Sequence, residues 1–362
     1  MDKRLHSLIP LHEIEAEAYN QIMNVLQLDF LKSLAIMPDV HAGYDLCIGG
    51  VALLDNHISP SFVGYDIGCG MTHVNTGVDV KDVFKSKEDR VNLFDEIYKG
   101  IPVGFTIREK ALDYEDFKSA GGFKDLDQKV GAKLQKSLGT LGGGNHFIEI
   151  GENSDGKVCI TIHSGSRNIG HSVASKYMKI DRILQLDSEV GQAYLQDMNF
   201  ALEFALANRL TMIKEVVKML GIQWHKVKDS LINENHNHAL VTEDGVLHRK
   251  GATPADEGQL GVIPANMRDG VYITKGKGNK EFLSSASHGA GRVYSRRKAK
   301  EEIPFDLFEE TMEENNIVAK VDTSTLDESP FAYKEIKDVI KYQEGIVVDV
   351  IDHIKPLVNI KG

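Results

Sequence analysis

Between Val190 and Leu220 the chain carries an apolar stripe that only a long helix satisfies. Leu195, Met198, Leu202, Leu206, Leu210, Ile213, Val217 and Leu220 recur at three- and four-residue steps. Gly221 follows as a C-terminal stop. The stripe is expected to be core, with no part in chemistry. Around it lie shorter apolar runs of strand character. Ala35 to Thr76 is rich in Gly, Val and Ile, broken by Gly, Asp and Pro, and reads as strands and tight turns. Val158, Ile160 and Ile162 alternate with polar residues and read as a strand whose end delivers His163. Strand patterns return from Ala239 to Leu247 and from Val271 to Ile273, whereas Val80 to Leu134 and Arg292 to Glu302 are charged and more helical. Strands and helices do not alternate regularly, so the expectation is a mixed α/β (α+β) architecture rather than a doubly wound sheet. With no internal repeat and no long linker, one domain over residues 1–362 is expected.

A chain of 362 residues with 42% hydrophobic content can bury a large core. No apolar run approaches the roughly 20 residues that a membrane helix needs, and no signal-peptide pattern follows the N-terminus. Three cysteines, Cys47, Cys69 and Cys159, do not make a disulfide framework. A cytoplasmic protein is expected. The net charge of −11 argues against indiscriminate nucleic-acid binding but permits a local basic groove. Arg292, Arg296, Arg297, Lys298 and Lys300 cluster without an acid among them, either as a solvated helix face or as a phosphate contact.

Chemistry concentrates in glycine-flanked clusters. Val63 to Gly70 holds Asp66 and Cys69, three residues apart in a loop that lets both side chains turn to one point. Leu141 to Glu149 holds His146 behind three glycines. His163 to Arg167 and Asn235 to Ala239 supply further imidazoles. One thiolate, one carboxylate and at least three imidazoles suit a borderline divalent metal such as zinc, manganese, iron or cobalt. Their dispersal from Asp66 to His236 fits a catalytic site better than a local zinc finger. In the fifth cluster, Ser284 to Arg292, small residues surround His288 and leave its imidazole open to act as a nucleophile or to serve as a buried structural histidine. The glycines before Asn145 could cradle phosphate, but the lysine and serine of a P-loop are missing.

Taken together, Met37 to His41, Val63 to Met71, Gly142 to Glu149, His163 to Arg167, His248 to Gly251 and Ser287 to Arg292 resemble, in order, the RtcB family of RNA ligases. The resemblance runs from about Met37 to the C-terminal Lys361-Gly362. It implies an RtcB-like fold, with central β-sheets and surrounding helices about a buried dinuclear metal site. By the same resemblance, Cys69 bridges two manganese ions. Asp66 and His146 complete one site, and His163 and His236 complete the other. His288 would take GMP from GTP, oriented by Asp39. Asn145, Glu149, Asn237 and Lys361 match positions that hold guanylate, as do the neighbouring Phe147 and Ile148, Pro264 to Met267 (Pro264, Ala265, Asn266, Met267) and Gly289, Ala290 and Gly291. Arg167 would clamp an RNA phosphate. The implied partners are GTP and RNA with 3′-phosphate or 2′,3′-cyclic phosphate and 5′-hydroxyl ends, handled by a monomer or homodimer.

One segment departs from the family. Where Ile-Pro-Gly-Ser-Met-Gly is usual, this chain has Ile263-Pro264-Ala265-Asn266-Met267-Arg268, and the later serine position is Val271. Asn266 retains hydrogen-bonding groups, Ala265 adds a methyl group, and Val271 cannot donate. Two readings compete: a metal-dependent phosphodiesterase or cyclic phosphatase that never ligates, which would use the same metal ligands but not need His288 or Lys361, and a non-enzymatic RNA-binding or nucleotide-sensing module kept folded by its metals.

Overall fold

The computed structural model describes residues 2–112 and 134–362. Its strands form two main sheets. In the larger, the strand order is Leu260–Pro264, Val271–Gly276, Val348–Lys361, Phe147–Glu152, Lys157–Ser164, Gly70–Asp79 and Ile232–Asn235. These neighbours pair antiparallel, and Val318–Ala319 pairs parallel with the long C-terminal strand. The second sheet runs Leu5–Ser7, Leu31–His41, Ile48–Leu54, Gly245–Lys250 and Asn237–Thr242. The mixed α/β expectation therefore holds. Among the described residues no helix is long and apolar enough to cross a membrane.

The local readings meet the structure unevenly. Val158, Ile160 and Ile162 lie in the Lys157–Ser164 strand and are all buried, as are the alternating Cys159, Thr161 and His163, because this strand has neighbours on both edges and packing on both faces. The Ala239 to Leu247 pattern is two strands of a hairpin, turning at Glu243 and Asp244. Helix occupies only Arg296–Glu302 of the Arg292 to Glu302 segment, since Ser295 caps it with a bond from the Lys298 N–H to its hydroxyl. Within Val80 to Leu134, helices form at Val80–Val83 and Lys87–Gly100, and residues 113–133 lie outside the described residues.

One link joins the sheets. Ile232–Asn235 belongs to the first sheet and Asn237–Thr242 to the second, leaving His236 between them. Gly70 is paired with both Ser164 and Asn235, and Phe147 with His163. Cys69, His146, His163 and His236 thus gather at one end of neighbouring strands.

The apolar stripe forms the helix Glu189–Met219, capped at Ser188 and followed by Gly221 in the left-handed region at φ 71°. Tyr194, Met198, Ala201, Ala205, Met212 and Val216 are buried, with the leucines at 195, 202, 206 and 210 on the flanks. The same face carries Asn208 and Arg209, both fully buried. Arg209 Nη1 donates to the carbonyls of Gly68 (2.9 Å) and Ser164 (3.0 Å), Nε to Asn233 Oδ1 (2.8 Å) and Nη2 to Asn235 Oδ1 (2.8 Å). Asn208 Nδ2 donates to the Thr140 and Gly165 carbonyls. The expectation that this helix only packs is therefore corrected: it pins the loops at the strand ends. Burial draws the Arg209 guanidinium down to about 10, against the opposing pull of Cys69, Glu234 and Asp66, so it stays charged at neutral pH. Arg209→Met should strand several buried acceptors and lower unfolding stability by about 3–5 kcal/mol, read by denaturant titration. A loss below about 1 kcal/mol would show that the loops hold themselves.

Candidate active site and metal centre

Two ligand triads share Cys69: Asp66, Cys69 and His146 form one, and Cys69, His163 and His236 the other. In each, the donor atoms lie within 4.8 Å of one another. Cys69 Sγ is 3.4 Å from His146 Nε2 and 3.1 Å from His163 Nε2, and His163 Nε2 is 3.3 Å from His236 Nε2. Asp66 Oδ2 is 3.3 Å from His146 Nε2. The outer nitrogens are already placed: His146 Nδ1 is 3.0 Å from the Leu141 carbonyl and His163 Nδ1 is 3.2 Å from that of Asn145. A carbonyl only accepts, so Nδ1 carries the proton in both rings and Nε2 keeps its lone pair for a metal. Burial, with neighbouring imidazoles adding to it, pushes His163 and His236 well below the ordinary histidine range, so both are neutral. Neutral imidazoles, one thiol and one carboxylate fit a pair of divalent ions bridged by sulfur.

His288 stands beside this cluster, its ring centroid 4.8 Å from that of His236. Its Nδ1 lies 2.7 Å from Oδ2 of the fully buried Asp39, which also accepts from the His288 backbone N–H at 3.2 Å. A carboxylate on Nδ1 fixes the proton there and leaves Nε2 as the reactive nitrogen. His41 Nδ1 lies 2.9 Å from the Asp39 carbonyl on the same strand.

Both groups open into a cavity of about 580 Å³, a volume that suits a nucleotide. Asn145, Phe147, Glu149, Asn237, Pro264 to Met267, His288 to Gly291 and Lys361 line it with the candidate metal ligands Asp66, Cys69, His163 and His236. Ile148 points instead into the apolar core, and His146 sits behind the wall. Asn237 is engaged twice, donating to the Asp66 carbonyl at 3.1 Å and accepting from the Gly251 N–H at 2.7 Å. Asn266 closes its own turn, accepting from the N–H groups of Arg268 and Asp269 and donating to the Asp269 carboxylate. Val271 is buried in an apolar cluster with Phe147 and does not itself line the cavity. Arg167 donates to Thr140 Oγ1 (3.0 Å) and to the Gly104 carbonyl (2.6 Å) and does not line the cavity.

Sequence reading missed Asn359, Glu328 and Tyr333. Asn359 Nδ2 donates to Glu149 Oε2 at 3.0 Å, while Glu149 Oε1 is buried with no partner among the described residues. The clue was strand alternation, which puts Asn359 on the same face as Lys361. Glu328 gathers Lys361 Nζ (3.2 Å), Arg292 Nη1 (3.1 Å), Arg296 Nη1 (2.5 Å) and the Tyr333 hydroxyl (2.5 Å). Of the basic cluster, Arg292 and Arg296 therefore face the cavity but are tied to acid. Arg297 pairs with Glu301, and Lys300 with Asp327.

If the triads hold divalent metal, Cys69→Ala should remove the shared ligand and lower metal content at both, while Cys47→Ala and Cys159→Ala, whose thiols burial pushes up to about 12, keep it. Elemental analysis with unchanged metal in Cys69→Ala would reject the bridge. Glu149 yields a pH signature. Burial raises its carboxyl to about 8, against the bond from Asn359 and the charge of Lys361. Its contribution to stability is thus full below the ordinary value of 4.5 and is lost as pH rises toward 8. Glu149→Gln should therefore gain in Tm relative to the parent between pH 5 and pH 8, and a constant difference in thermal melts would contradict this.

The family model described as tRNA-splicing ligase RtcB matches residues 21–362. The RNA-splicing ligase RtcB of Escherichia coli K12 is 34% identical over 393 residues, covering 96% of this chain and 95% of that protein. The tRNA-splicing ligase RtcB of Nanoarchaeum equitans is 32% identical over 437 residues, covering 94% and 91%. The RNA-splicing ligase RtcB homolog 1 of Entamoeba dispar is 30% identical over 441 residues, covering 94% and 81%. The match takes in both ligand triads and the His288 loop, and on it the chain belongs to the RtcB family.

Proposed function

We propose that this chain is a GTP- and manganese-dependent RNA ligase. It would join an RNA 3′-phosphate, or a 2′,3′-cyclic phosphate once opened by water, to a 5′-hydroxyl end in RNA repair or tRNA splicing. One observation carries the proposal: His288, held at Nδ1 by buried Asp39 at 2.7 Å, faces a nucleotide-sized cavity that it shares with the Cys69 ligand set.

His288 Nε2 attacks the α-phosphorus of GTP. The P–N bond forms as the bond to pyrophosphate breaks, and pyrophosphate leaves with the electron pair. The ring becomes cationic, and the Asp39 carboxylate balances that charge. The RNA 3′-phosphate then displaces His288 from phosphorus and takes GMP, and the 5′-hydroxyl attacks the activated 3′-phosphate and expels GMP. Divalent ions bound by Asp66, Cys69, His146, His163 and His236 would supply electrophilic stabilisation of phosphoryl oxygens. Glu149, with its unpartnered Oε1, would accept the guanine N–H groups and favour GTP over ATP. Lys361 lies 5.0 Å over the Phe147 ring and would meet the guanylate beside them.

Incubation with α-labelled GTP and manganese, followed by denaturing gel, tests this. The parent should take label in an acid-labile, alkali-stable bond, as a phosphoramidate requires. His288→Ala should take none, yet still join RNA already carrying a 3′-guanylate. Label that persists in His288→Ala would reassign the nucleophile. A parent that opens cyclic phosphates without taking label would be the phosphodiesterase, and metal content without either activity would leave the binding module.

A further inference from the structure

The cavity is also lined by aromatic side chains that no part of the guanylate mechanism uses. Tyr44 and Tyr65 line it. Tyr44 sits in the turn between Leu31–His41 and Ile48–Leu54, and its ring is 58% exposed. Tyr65 directly precedes the metal-ligand candidate Asp66. The two tyrosine rings meet edge to face, with centroids 5.3 Å apart and planes at 70°. Tyr65 in turn stacks on His171 at 5.0 Å and 27°. Lys250 Nζ lies 5.0 Å over Tyr44 and donates to the Ser61 carbonyl, so it holds one face of the ring without leaving the protein.

This ladder is poorly explained as packing. A tyrosine that served the core would be buried, and a loop tip at this position would ordinarily be polar. Instead exposed Tyr44 and exposed His171 flank the half-buried Tyr65, which directly precedes Asp66. With Lys250 over one face and Tyr65 at an edge, the exposed remainder of Tyr44 is an aromatic surface with no further ring or cation partner among the described residues. Flat aromatic faces recognise unpaired bases, which every nucleotide offers whatever its sequence. The chain's charge sharpens the point. At −11 it cannot hold a polyanion by its overall field, so an RNA end must be held by local contacts that do not depend on net charge.

We propose that Tyr44, backed by Tyr65 and His171, is a stacking platform for the terminal base of a single-stranded RNA end entering the same cavity. The inference rests on the RNA-ligase reading for its choice of ligand. It assigns Tyr44 the direct contact, Tyr65 and His171 the support that fixes the ring, and Lys250 the capping of its inner face. The platform is indifferent to base identity and demands that a base be present.

The test is equilibrium binding of short single-stranded RNAs to the manganese-loaded protein without GTP, read by fluorescence anisotropy. Four RNAs are compared: a 3′-phosphate end and a 5′-hydroxyl end, each with a normal or an abasic terminal nucleotide. For the end seated on the platform, Tyr44→Ala should weaken binding about fivefold to a hundredfold when the base is present. On the matching abasic RNA, parent and variant should bind alike, and Tyr44→Trp should restore affinity for the intact RNA. The end that shows this pattern is the one on the platform. Unchanged affinity of Tyr44→Ala for both intact RNAs would overturn the proposal, as would equal losses on intact and abasic RNA. The measurement requires no ligation, so the two readings fail separately. A parent without a GMP adduct would sink the ligase mechanism, whereas a base-independent Tyr44→Ala would sink only the platform.

Discussion

From inside the long helix, the guanidinium of Arg209 reaches the carbonyls of Gly68 and Ser164 and the amide oxygens of Asn233 and Asn235. Those acceptors lie on three separate segments. One precedes Cys69, one follows His163, and one leads into His236. A ligand set of this kind needs irregular backbone at the strand ends, because side chains from three strands must turn to one point. Irregular backbone leaves carbonyls outside the sheet ladder, and a buried carbonyl without a donor costs free energy. Arg209 supplies several donors from one rigid plane and so lets that backbone stay buried. Its positive charge also sits among Cys69, Asp66 and Glu234, which would otherwise be a set of acids in the interior.

The nucleophile is held by a different device. Asp39 belongs to the Leu31–His41 strand and His288 follows the short Ser285–Ser287 strand, so their contact joins elements far apart in sequence. Close approach is possible because the neighbours lack side chains. A Cβ on Gly251, whose φ is +59°, would come within 2.9 Å of His288 Cε1, and one on Gly291, at φ +75°, would strike the Asp39 carbonyl. The glycines that make the His288 loop conspicuous in the sequence are there because carboxylate and imidazole must meet across packed backbone.

That distinction explains what was legible in the sequence. Metal-ligand types beside glycine stand out in one dimension, as at Asp66, Cys69, His146 and His163, whereas His236, with no glycine beside it, was singled out from His238 only by the family resemblance. The helix was legible from its period, but its function was not. Arg209 and Asn208 interrupt the leucine stripe and look like solvent-facing residues until the loops they serve are in place. Nor does the sequence show the fourteen-residue strand Val348–Lys361 as central. Pro356 argues against a central strand, and the structure accommodates it where the register shifts between Pro356 and Val358. Asn359 was lost with that strand. Glu328 was invisible for another reason: nothing local marks an acid whose partners are Lys361, Arg292, Arg296 and Tyr333.

Glu328 and Glu149 show how an acidic chain can prepare a site for an anion. Burial would raise both carboxyls. At Glu328 the charges of Lys361 and Arg296, the Tyr333 hydroxyl and Arg292 overcome burial and hold the group near 2, so it is ionised at any working pH. It fixes those cations in place without cancelling them, since four cations, Arg292, Arg296, Lys300 and Lys361, share the two acids Glu328 and Asp327. At Glu149 one amide bond and the more distant charge of Lys361 are too little, and the carboxyl stays protonated up to about 8. One wall of the cavity is therefore cationic and the other close to neutral, with an unpartnered oxygen. A ligand carrying phosphate at one end and paired N–H donors at the other matches both walls. Its donors would favour the ionised form of Glu149, so base recognition at this wall is coupled to loss of a proton. Lys361, which pairs with Glu328 and whose charge acts on Glu149, senses both ends.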